Sequence, residues 1–321
     1  MNELQSIGTW WMWVGFGVFV IAMLGIDMFA LGRKGAHKVS AKEALVWSLI
    51  WFALAMLFGG VLWGWLDHTI GREVADTKVM EYLTGYLLEK TLAMDNIFVF
   101  VMIFSYFAVP LEFQKRILVY GVLGAIVLRA LMILLGAWLI AQFHWILYMF
   151  GAFLLITGIK MFIFADHEPD LAKNPILNWL RNHVRITENY HSDKFWVYEK
   201  GIRWFTPMFL VLVLIEISDV VFAMDSIPAI FAITNDPFIV FTSNIFAILG
   251  LRALYFLLAD MADRFHLLKY GLAVVLIFVG TKMLIVDWIK IPVAVSLSVV
   301  IAVLGISILL SLKSNRRLPP N

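Results

Sequence analysis

Residues 210–228 read Leu-Val-Leu-Val-Leu-Ile-Glu-Ile-Ser-Asp-Val-Val-Phe-Ala-Met-Asp-Ser-Ile-Pro. The run is apolar enough to sit in a lipid bilayer, yet Glu216, Asp219 and Asp225 fall within ten residues of it, with the helix breaker Pro228 close behind. An ionised carboxylate at the centre of a membrane helix costs about 2.5–3.5 kcal/mol on insertion scales. Three of them argue for a function, and the simplest is to hold something positive.

Outward from that run, the chain is built of similar blocks. Hydrophobic residues make up 62% of 321 and charged residues 15%. The apolar residues gather in stretches of about 20 or more, the length that spans roughly 30 Å of hydrocarbon. Nine such segments are expected, at 8–31, 44–66, 80–106, 117–140, 144–164, 206–233, 238–260, 267–287 and 292–312. The fold class is an all-α membrane protein. Met1–Ile7 has no basic n-region, so the first block is expected to stay as an anchor. With no cysteine, the chain carries no disulfide, thiolate metal site or thiol redox chemistry. The basic residues are scattered through short loops, which excludes a nucleic-acid patch, and no Gly-rich phosphate loop appears, so ATP-driven pumping is not expected.

Charge sets the orientation. Trp10, Trp11 and Trp13 mark one interface of the first helix; Arg33, Lys34, Lys38 and Lys42 follow the other. The positive-inside rule makes that loop cytoplasmic. The loop 165–205 carries Lys173, Arg181, Arg185, Lys194, Lys200 and Arg203, and the tail carries Lys313, Arg316 and Arg317, whereas the turns at Gln142 and at 235–237 have neither Lys nor Arg. Nine spans with the N-terminus outside and the C-terminus cytoplasmic fit this pattern. In the long loop, Asn174 as N-cap and Pro175 precede Ile176, Leu177, Leu180 and Val184, spaced for an amphipathic helix lying on the membrane surface. Residues 195–198 and 202–205 are expected to pair as a hairpin around Glu199-Lys200-Gly201. His167, His183 and His191 have no tight spacing and are taken as solvated rather than as a metal sensor.

The chain also repeats itself. His144, Tyr148, Gly158, Lys160 and Met161 recur as His266, Tyr270, Gly280, Lys282 and Met283, each displaced by 122 positions. Leu128-Arg129-Ala130-Leu131 recurs as Leu251-Arg252-Ala253-Leu254, and Ala93-Met94-Asp95 as Ala223-Met224-Asp225. Helices three to five therefore duplicate helices six to eight. Three spans are an odd number, so the second unit enters the membrane from the opposite side, as in inverted-repeat transporters whose site lies between the repeats. The expected organisation is two N-terminal transmembrane helices (1–79), repeat one (80–164), the loop (165–205), repeat two (206–287), and a ninth helix with a basic tail (288–321).

The acidic residues follow the repeat. Glu89 and Asp95 are six apart, as are Asp219 and Asp225, with Glu216 one turn earlier. Six residues turn a straight helix by about 600°, leaving such a pair roughly 120° apart. Pro228 is expected to kink or open its helix beside Asp225 so that the pair converges. Carboxylates, Asn96 and Ser226 are hard oxygen donors suited to Mg²⁺, Ca²⁺ or Mn²⁺. Met94 and Met224 stand either as thioether ligands or, as is commoner, as packing. Arg129 and Arg252 need buried partners, either as a rigid ion-pair network or as groups that trade carboxylates when a cation leaves. The five carboxylates outnumber Lys90, Arg129 and Arg252 by two, the charge of one divalent cation. Glu216 and Asp219 should not both stay ionised in an empty site, which suggests proton exchange. Asp27 reads as interfacial, Lys160 and Lys282 as snorkelling, and Asn244, with Thr242 and Ser243, as pathway lining or helix contact.

Residues 89–96 (Glu-Lys-Thr-Leu-Ala-Met-Asp-Asn), Glu216 to Pro228, and Thr242-Ser243-Asn244 leading into Leu251-Arg252-Ala253-Leu254 resemble the TerC family, and the likeness runs from the first helix to the ninth. The resemblance implies a bacterial inner-membrane manganese exporter of the wider LysE-type superfamily, with two inverted three-helix units. It implies that Glu89, Asp95, Glu216, Asp219 and Asp225 are the acidic transport residues. No enzyme activity and no resident cofactor are expected; the partners are Mn²⁺, possible counter-transported H⁺, and the bilayer. Two alternatives stand beside it: a carrier of another substrate, such as calcium or a tellurium oxyanion, and a stress-response scaffold or redox-modulating membrane protein that works through its cytoplasmic loop.

Overall fold

The computed structural model describes residues 6–34, 40–143, 145–163, 175–199, 201–258 and 267–315. His144, His167, Asn174, Lys200, His266, Lys38 and the tail arginines 316 and 317 lie outside the described residues, as do the side chains of Asp27, Arg33, Lys34, Met94, Asp95, Ile176 and Arg181.

The elements are α1 (Trp10–Lys34), α2 (Ala41–Thr69), α3 (Arg72–Tyr106), α4 (Leu111–Gln142), α5 (Ile146–Ile163), α6 (Pro175–His183), β1 (Trp196–Glu199), β2 (Ile202–Phe205), α7 (Pro207–Phe231), α8 (Pro237–Leu249), α9 (Leu251–Leu258), α10 (Leu268–Leu284) and α11 (Val293–Asn315). Their starts follow ordinary chemistry. Ser40 caps α2 by accepting from the Glu43 amide at 3.2 Å. Asp236 caps α8 through Phe238 N at 3.0 Å, with Pro237 in the first turn. Gly71, at φ 124°, reverses the chain between α2 and α3.

Among the described residues, five helices are long and apolar enough to cross a membrane, within Lys42–Thr69, Leu111–Gln142, Ile146–Ile163, Pro207–Phe231 and Val293–Ser311, and a sixth if α8 and α9 form one span bent by 41°. Three expected segments fall short of that test for stateable reasons. In α1 the described apolar part is Trp10–Ile26; α10 has 17 residues; and α3 carries Glu81, Glu89 and Lys90 within its apolar stretch. At 35 residues α3 also begins eight residues before the apolar segment predicted it to, because a polar first turn extends the helix beyond the hydrocarbon. Leu131, Trp138, Ile156 and Leu309 are each more than half exposed, as side chains facing lipid would be.

α3 stands at the centre, against α2, α7, α8 and α11. The tightest pairing is α5 with α10, and it turns on glycine. A Cβ on Gly280 would meet Leu155 N at 2.6 Å and Gly151 O at 2.8 Å; one on Gly158 would meet Ala273 O and Ile277 N, both at 2.9 Å. The late residues of each helix meet the early residues of the other, so the two run antiparallel.

The connection between α5 and α7 is docked on the bundle. The expected hairpin forms, but its first strand lies one residue later than predicted: β1 and β2 pair antiparallel, Trp196 opposite Phe205 and Glu199, expected in the turn, opposite Ile202. Arg116 of α4 pairs with Asp193, and Tyr190 donates to Phe107 O at 2.8 Å. α6 forms where its spacing predicts, but its apolar side is not on lipid: Leu177 and Leu180 are buried in a cluster with Phe195, Met208 and Leu210. The bundle end offers an apolar surface nearer than the bilayer. Lys282 also departs from expectation. It does not snorkel but is buried and donates to Ser296 Oγ of α11 at 3.0 Å.

Candidate functional site

Arg129, in the middle of α4 and 1% exposed, gathers polar residues of three other helices. Its Nη1 pairs with Glu89 of α3. Its fork holds Asp219 of α7, Nε to Oδ2 at 3.1 Å and Nη2 to Oδ1 at 2.8 Å. Nη1 also donates to Ser226 Oγ at 3.2 Å and Asn244 Oδ1 at 3.5 Å. Asn96 Nδ2 donates to Asp219 Oδ1 at 3.3 Å. A buried guanidinium needs this density of acceptors, and only arginine presents a planar fork that spans two carboxylates.

The cluster is not saturated. Glu89 Oε2, Asn96 Oδ1 and Glu216 Oε2 are buried without a hydrogen-bond partner among the described residues. Three acceptors left bare in a low-dielectric interior are costly, and all three are oxygens of the kind that ligate a hard cation.

Glu216 reaches the site because Gly124 gives way. Its carboxylate lies over α4 in the space a Cβ on Gly124 would fill. The pair Gly121-x-x-Gly124 inside an apolar helix was the available sequence signal, since two glycines weaken a helix unless something must approach it closely. Gly124→Ala is therefore expected to push Glu216 off α4 and to reduce cation binding by about tenfold or more, the scale of one charge-assisted contact. Isothermal titration of the purified protein checks it, and unchanged affinity would remove Glu216 from the site.

Other expected members stand elsewhere. α7 is continuous from Pro207 to Phe231, with Pro228 buried inside it, so no opening appears beside Asp225. The six-residue spacing then acts as on any straight helix: Asp219 turns to Arg129, while Asp225 faces the Thr157 hydroxyl of α5. Met224, 50% exposed, points out of the bundle, where it cannot ligand an ion in this cluster. Arg252 is 7% exposed and borders, with Asp219, a small void between α4 and α7. Lys90 leaves the carboxylates altogether and donates to Ala247 O at 3.3 Å, so it does not enter the charge balance of the site. Among the described residues, no three His, Cys, Asp or Glu side chains gather in metal-binding geometry. The reason is Arg129 itself, which stands between Glu89 and Asp219.

At the end of the bundle away from the hairpin lies a cleft of about 950 Å³, lined by Lys78, Glu81, Thr234, Asp236, Lys282 and Lys290 among others. Lys78 pairs with Glu81 at 2.8 Å, which accepts from Thr234 Oγ1 at 2.5 Å. Glu81 carries no signal in the sequence, because it lies near the start of an apolar segment, where a charge is unremarkable.

Comparison with known proteins places the chain. Residues 74–318 match the family described as "Integral membrane protein TerC family". The chain is similar to a protein of Escherichia coli K12 named "Putative membrane-bound redox modulator Alx", 55% identical over 314 residues and 98% of both chains. A Salmonella typhi protein of the same name is 54% identical over 96% of both chains. The "Uncharacterized membrane protein STKORF319" of Myxococcus xanthus is 48% identical over 99% of this chain and 97% of its own. No solved structure matches. With apolar helices long enough to cross a bilayer and a family match over most of its length, the chain belongs to the TerC family and is a multi-pass integral membrane protein.

Proposed function

We propose that the protein is a secondary transporter that exports Mn²⁺ from the cytoplasm, in exchange for protons, through the acidic cluster between α3 and α7. The observation that carries this reading is the pair of buried carboxylates, Glu89 and Asp219, sharing a single cation, Arg129, with bare oxygens on Glu89 and Asn96 in the same cluster and on Glu216 one turn before Asp219. An arriving divalent ion takes over the carboxylates and Arg129 releases them; Glu216 and Asp219, one turn apart, give up a shared proton as it does so. Asp225, and Asp95 by the repeat, belong to the path on either side. The proposal places the protein in a bacterial inner membrane with nine spans, the N-terminus outside and the C-terminus cytoplasmic. The cleft at Glu81 and Asp236 is then the external mouth.

The inverted repeat is part of this reading. Gly158 meets Ala273 and Ile277, and Gly280 meets Gly151 and Leu155. Adding 122 to the α5 residue and subtracting 122 from the α10 residues of one set of contacts produces the other, which is how two units related by a two-fold axis would touch. Antiparallel α5 and α10 put that axis across the helices, in the membrane plane.

The redox wording in the relatives' name fits a downstream effect of metal handling, since 321 residues without cysteine supply no thiol. The test is Mn²⁺ flux in proteoliposomes for wild type, Asp219→Asn and Asp225→Asn. Asp219→Asn loses a fork-held charge and is expected to cut flux by about tenfold or more; Asp225→Asn is expected to cut it as well. Equal flux in all three would sink the site, and flux that neither follows nor changes a pH gradient would remove the proton coupling.

A further inference from the structure

Lys90 is a charged side chain that the acidic cluster does not use. It sits one residue after Glu89 on α3 and points instead at the junction of α8 and α9. There α8 stops at Leu249, α9 starts at Leu251, and the two are bent by 41°. One continuous helix over 237–258 would have satisfied its own backbone. A break at membrane depth frees the carbonyls of the last turn of α8, and freed carbonyls in hydrocarbon need a donor. The Gly250 amide bonds Ile248 O within the turn, and Lys90 Nζ donates to Ala247 O. The C-terminal end of a helix carries partial negative charge, so ammonium and carbonyl each offset the other's desolvation. Gly250 lets the ammonium in: a Cβ there would stand 2.5 Å from Nζ and 3.2 Å from Trp51 Cβ.

The sequence repeat adds an independent observation. Aligning Leu251–Leu254 with Leu128–Leu131 sets Gly250 against Val127, and aligning Ala223–Asp225 with Ala93–Asp95 sets Lys90 against Val220. Where valine occupies the position, α4 runs unbroken from Leu111 to Gln142. Lys90 of repeat one and Gly250 of repeat two meet at the break, whereas the repeat-related pair, Val220 and Val127, has neither ammonium nor glycine, and no break.

We propose that Lys90 is a positioning residue: its ammonium holds the break between α8 and α9 open, and the break sets Arg252, two residues beyond Gly250, beside Asp219. Its consequence for flux rests on the transporter reading above; its geometry does not. The residue acts as a tethered cation at the end of a half-helix, the place where broken-helix transporters hold a free one.

The experiment pairs melting temperature in detergent with Mn²⁺ flux in proteoliposomes for wild type, Lys90→Ala, Gly250→Ala and the double variant. Gly250→Ala is expected to lower the melting temperature by several degrees in the wild-type background and by clearly less with Lys90→Ala, because the group it displaces is gone. Lys90→Ala is expected to cut flux by about tenfold or more, with part restored by methylammonium and none by tetramethylammonium, which has no N–H. Additive melting shifts would overturn the contact. Full flux in Lys90→Ala, or a loss that methylammonium does not restore, would overturn the positioning role. A wild type that carries no Mn²⁺ would refute the transporter reading alone, and the melting cycle would still decide the contact.

Discussion

Arg129→Met is expected to abolish cation flux and to lower the melting temperature sharply, and added Mn²⁺ is expected to restore more stability to the variant than to the wild type. The substitution keeps the volume of the side chain and removes its charge, leaving Glu89 and Asp219 buried and uncompensated. Breaking a buried ion pair from one side costs about 3–5 kcal/mol, far more than a surface change. A divalent ion at the same carboxylates would recover part of that, about 2.7 kcal/mol at a hundredfold excess over Kd. In the wild type the ion has first to displace a guanidinium held by four partners, so the gain is smaller. Melting curves with Mn²⁺ and with Mg²⁺ as control decide the matter. A variant as stable as the wild type, or one with no larger Mn²⁺ response, would mean that Arg129 and the ion do not compete for one site.

Gly158→Ala and Gly280→Ala are expected to destabilise the protein by similar amounts, about 1–3 kcal/mol each, as overpacking does where neither neighbour can move. At both positions the methyl would press on backbone atoms of the facing helix, between 2.6 and 2.9 Å away, and backbone cannot rotate aside as a side chain can. Gly60→Ala and Gly64→Ala in α2 are the controls: nothing lies within 4 Å of either Cβ, so a gain of about 0.5–1 kcal/mol is expected from the better helix former. Thermal unfolding of the four variants measures it. Equal penalties at Gly158 and Gly280 support the two-fold relation of α5 and α10, whereas a penalty at one position only would refute it.

Much of the architecture was legible in the linear sequence, because apolar length and charge placement act locally. Each apolar segment contains a helix, a hairpin forms where one was expected with its first strand one residue further on, and Arg129 and Asp219 declared themselves as charges with no water to solvate them. Helix limits were less legible. The start of α3 depends on Gly71 and polar turns that hydropathy does not weigh, and the break at Gly250 depends on Lys90, 160 positions away.

The site divides along the same line. From the sequence alone come the membrane class, the family and the set of ionisable residues inside apolar segments, since each of these is a property of composition or of spacing along the chain. Only the tertiary structure decided which of those residues meet. It joined Glu89 to Asp219 through Arg129, sent Asp225 to Thr157 and Lys90 to Ala247, turned Met224 outward, and made Gly124 the floor beneath Glu216. The physical reason is that spacing fixes the angle between two side chains on one helix, whereas the partner each one finds depends on how neighbouring helices approach, and that approach is set by glycines whose role appears only once another helix lies against them.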